Sequence, residues 1–131
     1  MNFEKTSINP QELHAHLSHL KNNAEFDFDR LNMIVAVDNK DNIELIYDLY
    51  STNRAQPKRV SVLMDANAPH SPSIVDIYKS AYFDECEIYD LFGVVFDKNP
   101  NLKRLLMPKG WVGHPLRKDY EQTDERLVWN E

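Results

Sequence analysis

Hydrophobic side chains recur at helical spacing in three stretches of this chain. In the first, Leu13, Leu17 and Leu20 share one face, and the Asn-Pro pair ahead of them is typical of a helix start. Residues 69–81 and residues 84–92 show the same spacing, and a glycine directly follows the third stretch, as expected just past a helix end. The pattern therefore predicts three helices.

Stretches rich in β-branched and aromatic residues predict strands. Residues 31–37 form the most apolar run, which predicts a mostly buried strand, and residues 43–50 follow a polar turn as its hairpin partner. Residues 60–64 and 94–96 predict two further short strands. The predicted fold class is α+β: a small antiparallel or mixed sheet, helices packed on one face, and an extended irregular C-terminal tail.

Positive charge is concentrated towards the end of the chain. The 131 residues carry a net charge of −6, yet residues 98–118 contain six lysines and arginines and no acidic residue. Proline and glycine accumulate from the same point onward, while hydrophobic periodicity fades. The length fits one domain. Within it, residues 1–97 are predicted to form the α+β core, and residues 98–131 a basic tail that binds a partner.

The residues themselves disfavour several kinds of chemistry. The longest apolar run, residues 33–37, is far shorter than the roughly 18–20 residues that span a membrane. Cys86 is the only cysteine, which rules out an internal disulfide, and the glutamates on either side disfavour a reactive thiolate. Histidines on the first helix point in different directions, and the three glycines are too scattered for a phosphate-binding loop.

Three carboxylates on the last predicted helix, Glu85, Glu87 and Asp90, admit two interpretations. They could serve as an acid–base pair in catalysis. Alternatively, they could bind basic groups of the tail, such as Arg104 or Arg117, or of a partner. Glu87 and Asp90 share one helical face but Glu85 does not, so we favour the second interpretation.

Residues 98–118, called the basic segment from here on, leave alternatives open as well. Trp111, with a glycine on either side, is suited to the centre of a protein interface. Basic and aromatic residues together would also suit a nucleic-acid-binding domain that uses residues 98–118, although the acidic remainder of the chain would repel a polyanion. A small hydrolase built on His114 and Asp119 rests on residue identity alone.

Three stretches near the C-terminus are specific enough to suggest a family. They are residues 85–96 (ECEIYDLFGVVF), 100–108 (PNLKRLLMP) and 111–120 (WVGHPLRKDY). In this order and spacing they resemble the signature of the 30 kDa subunit of respiratory complex I, which is the C subunit of bacterial NADH:quinone oxidoreductase. The predicted hairpin and the stretch at residues 69–81 are similar to the family too.

The resemblance implies a structural subunit, with no cofactor, metal or catalytic site of its own, in the hydrophilic arm of a complex that couples electron transfer to ion translocation. Its implied partners are a large hydrogenase-like quinone-site subunit and subunits carrying iron–sulphur clusters, with flavin or a NiFe centre also in partner subunits. The implied location is peripheral, on the cytoplasmic side of the cell membrane. The resemblance implies no nucleic-acid partner. The residues implied at the partner interface are Glu85, Glu87, Asp90, Arg104, Trp111, His114, Arg117, Lys118, Asp119 and Tyr120.

The chain departs from the family pattern at three points. Cys86 stands where the family usually has arginine, and Asn99 stands where a histidine commonly precedes the proline. The fold is also expected to start at the first helix, without the strand and helix that precede it in longer members. Short members of this kind are similar to subunits of membrane-bound NiFe hydrogenases and of ferredoxin- or F420-linked complexes, so the resemblance leaves the electron donor and acceptor open.

Overall fold

The described part of the chain contains six strands and two helices. The computed structural model describes residues 5–104, 106–107 and 113–118. In chain order the elements are β1 (Lys5–Ile8), α1 (Pro10–Asn22), β2 (Arg30–Asp38), β3 (Asn42–Ser51), β4 (Gln56–Asp65), β5 (His70–Pro72), α2 (Ala81–Phe92) and β6 (Val95–Asp97). Neither α1 nor α2, the two helices of this described part, has the length and apolar character that crossing a membrane requires.

The main sheet is mixed and has the strand order β1-β4-β3-β2. β2 and β3 form the predicted hairpin, and β3 also pairs antiparallel with β4, which begins at Gln56, four residues earlier than predicted. β1 pairs with β4 in parallel, so that Ile8 lies opposite Val62. The α+β class is thus confirmed, whereas the expectation that no strand precedes the first helix is wrong.

Both helices pack against one face of this sheet. Across β2, β3 and β4, the register aligns Ile34, Tyr47 and Val60, and all three side chains are buried. The predicted leucine stripe of α1 lies in the same core, and α2 contributes Ile88. Removing apolar area from water is the dominant favourable term in folding, at about 25 cal/mol per Å². This shared core therefore fixes the position of both helices.

The opposite face of the sheet is open in the described structure. Met33, Val35 and Val37 of β2 are exposed to 48%, 39% and 37%, and Leu63 of β4 is exposed to 50%. Because side chains alternate between the two faces of a strand, β2 buries only one of its sides. The prediction that residues 31–37 form a mostly buried strand is therefore wrong.

α2 connects the two short parallel strands β5 and β6. The predicted helix end is confirmed, because Gly93 follows α2 in the left-handed conformation, with φ +78°. The predicted helix over residues 69–81 is wrong. Its first residues form β5, and isolated turns follow, in which the N–H groups of Ile77 and Tyr78 donate to the Ile74 carbonyl and the Ala81 N–H donates to the Tyr78 carbonyl. The apolar side chains that suggested a helix are buried in these turns and at the start of α2.

Candidate partner-binding site

Asp90, near the end of α2, binds the beginning of the basic segment. Its buried carboxylate accepts a hydrogen bond from Arg104 Nη1 at 3.1 Å. The same carboxylate accepts the backbone N–H groups of Leu106 at 2.7 Å and Met107 at 2.9 Å. A buried carboxylate needs charge and hydrogen-bond compensation, and these donors supply both. The interpretation that a carboxylate of this helix binds a basic group of the tail is confirmed for Asp90 and Arg104.

His114 packs directly against the end of the same helix. Its Nδ1 lies 3.0 Å from the Asp90 carbonyl oxygen, and Arg104 Nη2 donates to the Gly113 carbonyl at 2.6 Å. A Cβ atom at position 93 would lie only 2.7 Å from His114 Cδ2. Gly93 is thus required twice, once by its positive φ and once by the close approach of the imidazole.

Arg117 connects the basic segment to two other parts of the chain. Its Nη1 donates to the Phe92 carbonyl at 3.2 Å, and its Nη2 donates to the Ala66 carbonyl at 2.6 Å. Its Nε lies 3.3 Å from Oδ2 of Asp38, the last residue of β2. Of the two arginines suggested as partners of the helix carboxylates, Arg104 therefore binds Asp90, whereas the carboxylate beside Arg117 comes from the sheet.

Asp38 is the acidic centre of this second contact. Burial alone would raise the pKa of Asp38, but backbone N–H groups of Lys118 and Lys40 donate to the carboxylate, and the Arg117 charge lies beside it. These interactions outweigh burial and hold the pKa of Asp38 below its usual value. The ionised form of Asp38 is therefore favoured in the folded chain.

The basic segment also completes the C-terminal end of α2. The last carbonyl groups of a helix lack partners within the helix, and this end carries partial negative charge. α2 has no basic residue in its own last turn. Instead the Leu91 carbonyl accepts the Leu116 N–H at 2.8 Å, and the Phe92 carbonyl accepts Arg117. Residues 113–118 therefore supply both the donors and the positive charge that this helix end needs.

Glu85 has a different role from the one predicted for it. It is fully buried and accepts hydrogen bonds from the Ser73 hydroxyl at 2.7 Å, the Ile74 N–H at 2.9 Å and the Asn99 side-chain amide at 2.9 Å. Burial raises the pKa of Glu85 despite these three donors, and the charge of Asp76 adds to the rise. Glu85 thus holds the turn after β5 and the residues after β6 against α2, through neutral groups.

The remaining predicted interface residues divide into exposed residues and residues outside the described part. Glu87 and the side chain of Lys118 are exposed. Trp111, Asp119 and Tyr120 lie outside the described residues, so the predictions for them stay predictions. Cys86 is buried, as favoured for a packed thiol. Within the described ranges, no group of three or more histidine, cysteine, aspartate or glutamate side chains is arranged to hold a metal ion.

Sequence reasoning misses two of the most important contacts. The local pattern places Asp38 only in a turn, and its partner Arg117 is 79 positions away. Asn99 stands out only as a departure from a family pattern, yet its amide binds Glu85. Neither contact lies within a single helix, strand or turn, so the local pattern of the sequence carries no signal for it.

These contacts define a class of protein: a small α+β scaffold in which described residues of the basic segment, among them Arg104 and residues 113–118, contact the end of α2 and the end of β2. The chain belongs to the family of the respiratory-chain NADH dehydrogenase 30 kDa subunit, whose family model matches residues 6–126.

Curated relatives agree with this assignment. The chain is 47% identical to the NADH-quinone oxidoreductase C subunit of Saccharopolyspora erythraea over 57% of its own length, but this match spans only 30% of that relative. The corresponding C subunit of Acidothermus cellulolyticus is 35% identical, over 90% of this chain and 68% of the relative. The NADH-quinone oxidoreductase C/D subunit of Phocaeicola vulgatus is 34% identical, over 92% of this chain and 23% of the relative.

Two solved structures share the fold. A trypsin-resistant fragment of Nqo5 is 26% identical and has a TM-score of 0.67, with 75% of this chain and 81% of the fragment covered. A chain of the membrane-bound sulfane sulfur reductase, an archaeal respiratory membrane complex, is 25% identical and has a TM-score of 0.71. That match covers 92% of this chain and 74% of the other.

Proposed function

We propose that this chain is a cofactor-free structural subunit of a complex I-like NADH:quinone oxidoreductase. In this role it holds a large hydrogenase-like quinone-site subunit and the iron–sulphur subunits together while electron transfer drives ion translocation. It performs no catalysis itself, and it is attached peripherally, on the cytoplasmic side of the cell membrane, through the other subunits. Family membership supports the type of complex.

The observation that carries the proposal is the use of the charged residues. Two of the three carboxylates that sequence reasoning considers for acid–base chemistry, Glu85 and Asp90, are buried and accept donors from their own chain, whereas Glu87 is exposed. Arg104 and Arg117 are mostly buried beside Asp90 and Asp38. Charged side chains that bind groups of their own chain stabilise the fold. This use suits a subunit that acts by contacting other subunits.

The identity of the main partner is supported by the Phocaeicola relative. The C/D name of that relative describes two subunits in one chain, and this chain matches only 23% of it. Two subunits joined in one polypeptide remain close together in space. We propose that the partner of this chain is a D subunit, the second subunit in the C/D name, and that this D-type partner is the large hydrogenase-like subunit.

A second candidate is the equivalent subunit of a membrane-bound hydrogenase or of a ferredoxin- or F420-linked complex. The likeness to the sulfane sulfur reductase chain favours this candidate, because it covers more of this chain than the Nqo5 fragment does. The nucleic-acid alternative receives less support. Arg104 and Arg117, which would contact phosphates, are bound to carboxylates of their own chain.

Both candidates are tested by purifying the tagged full-length chain from its native membranes and identifying the associated subunits by mass spectrometry. We expect a large hydrogenase-like subunit together with iron–sulphur subunits. A flavin-containing NADH-oxidising subunit would indicate the complex I type, and a nickel-containing subunit would indicate the hydrogenase type. Recovery of the chain alone, or a flavin, metal or cluster absorbance in the purified chain, would contradict the structural role.

A further inference from the structure

Two leucines of the basic segment point into solvent although their backbones are held in place. Leu106 is 62% exposed and Leu116 is 52% exposed. The Leu106 N–H donates to the Asp90 carboxylate, and the Leu116 N–H donates to the Leu91 carbonyl. The backbone is therefore anchored at both positions while the apolar side chain is left unburied.

The two anchor points lie close together. Asp90 and Leu91 are consecutive residues in the last turn of α2. Arg104 joins the two stretches, because it binds Asp90 through Nη1 and the Gly113 carbonyl through Nη2. Leu106 and Leu116 therefore extend from one small area around the end of the helix.

Lysines and arginines of the segment differ in where they lie. Arg104 and Arg117 have side chains only 17% and 14% exposed, and each pairs with a carboxylate of the chain. Lys103 and Lys118, one residue away from these arginines, are exposed. Neither ammonium group forms an ion pair within the described residues, although the charge of Lys118 also helps to lower the pKa of Asp38. The outward charge near the two leucines is thus carried by lysines.

We infer that Leu106 and Leu116 are anchor side chains that enter an apolar depression on the D-type partner, and that Lys103 and Lys118 pair with carboxylates at its rim. This inference rests on the proposed function. An apolar centre with a charged rim is the usual composition of a protein interface, and complementary charge fixes its orientation. The interface therefore uses the residues adjacent to Arg104 and Arg117, while the arginines themselves hold the segment in shape.

A protein occupant fits this surface better than a nucleic acid or a lipid bilayer. Binding to nucleic acid typically uses exposed arginines and stacked aromatic rings. Among the described residues of the segment, both arginines are mostly buried, and each exposed leucine lies within three positions of an exposed lysine. Two leucines bury too little apolar area for stable attachment to a bilayer. A partner with matching carboxylates uses both the apolar side chains and the positive charge.

The test uses the tagged full-length chain in its native host and measures how much of the large hydrogenase-like subunit is recovered with it. The double variant Leu106→Ser with Leu116→Ser should reduce the affinity by about tenfold or more for each leucine. The matched control is Leu63→Ser, which removes a leucine of similar exposure from the open face of the sheet. Unfolding midpoints should change little in these variants, since each of the three side chains is half or more exposed.

Charge is tested separately. Lys103→Glu with Lys118→Glu should weaken recovery of the partner and reduce its dependence on salt, whereas Lys79→Glu, at another exposed position, should do neither. Equal recovery with the wild-type chain and the leucine variant would overturn this inference and leave the proposed function intact. Failure of the wild-type chain to recover the large hydrogenase-like subunit would overturn both. Binding of the purified chain to anionic phospholipid vesicles that depends on the two leucines would assign the surface to a membrane instead.

Discussion

Replacing Asp90 with asparagine removes the charge at the centre of the contact between α2 and the basic segment, with almost no change in volume. An amide has one oxygen where the carboxylate has two. Asp90 Oδ1 faces Arg104, and Oδ2 faces the N–H groups of Leu106 and Met107. Whichever way the amide is turned, its NH₂ group meets at least one of these donors. The Asp90→Asn variant therefore loses both the charge and at least one hydrogen bond.

The size of the loss follows from burial. A hydrogen bond to a charged group is worth about 1.5–3 kcal/mol, and breaking a buried ion pair by removing one partner costs about 3–5 kcal/mol. Asp90 is fully buried, but the Arg104 side chain is 17% exposed and gains some hydration when its partner is lost. We therefore expect a loss near the lower end, about 3 kcal/mol.

The loss can be measured at the bonds themselves. Hydrogen exchange at the amides of Leu106 and Met107 should accelerate by about 100-fold in the Asp90→Asn variant, which corresponds to about 3 kcal/mol. Urea unfolding should show a lower midpoint with an unchanged slope. Glu87→Gln, an equivalent change at an exposed position of the same helix, should alter stability by less than about 0.5 kcal/mol. Exchange that accelerates less than about fivefold would refute the reasoning that Asp90 anchors the segment.

Three further predictions concern the helix end, the buried carboxyl group and the core. Gly93→Ala should destabilise the chain by about 2 kcal/mol or more, since alanine is strained at this φ and its Cβ would clash with His114. Calorimetry measures this loss of stability, and a loss below about 0.5 kcal/mol would contradict the prediction. Because the folded-state pKa of Glu85 is raised, its contribution is present at low pH and is lost as pH rises through that pKa. As the pH rises above the ordinary range for a glutamate, the unfolding free energy of the wild-type chain should therefore fall relative to that of Glu85→Gln. A difference that changes in the opposite direction would contradict the raised pKa of Glu85. Leu17→Ala in α1 should lower the free energy of unfolding by about 2–5 kcal/mol, measured with urea, because Leu17 is fully buried. A clearly smaller loss would contradict the position of Leu17 in the packed core.

Local patterns predict the elements whose stability depends on local features. The leucine spacing of α1, the turn between β2 and β3, and the glycine that ends α2 are each contained within about a dozen residues. Such signals act through periodicity and backbone preference, which a single sequence displays directly. The structure confirms all three.

Errors arise where distant residues decide the outcome. β1 has four residues, and its pairing partner in β4 is more than fifty positions away. The stretch at residues 69–81 has helical spacing, but its start pairs with β6 and the Ile74 N–H binds Glu85. Tertiary hydrogen bonds thus replace the helical ones that periodicity suggests. The exposed side of β2 escapes prediction for a similar reason, since a run of apolar residues does not reveal that only one face of the sheet is covered.

The site is predictable in part, and the different uses of its cations follow from the chemistry of arginine and lysine. A guanidinium group has five donors in a fixed plane, so Arg117 can bind two carbonyl groups and a carboxylate at once, and Arg104 can bind Asp90 and Gly113. An ammonium group is more strongly hydrated, which favours exposed positions for the neighbouring lysines. Net charge along the sequence cannot separate these uses, because both residues count as +1. The folded segment separates them: Arg104 and Arg117 bind inward, and Lys103 and Lys118 are exposed, close in sequence to two exposed leucines.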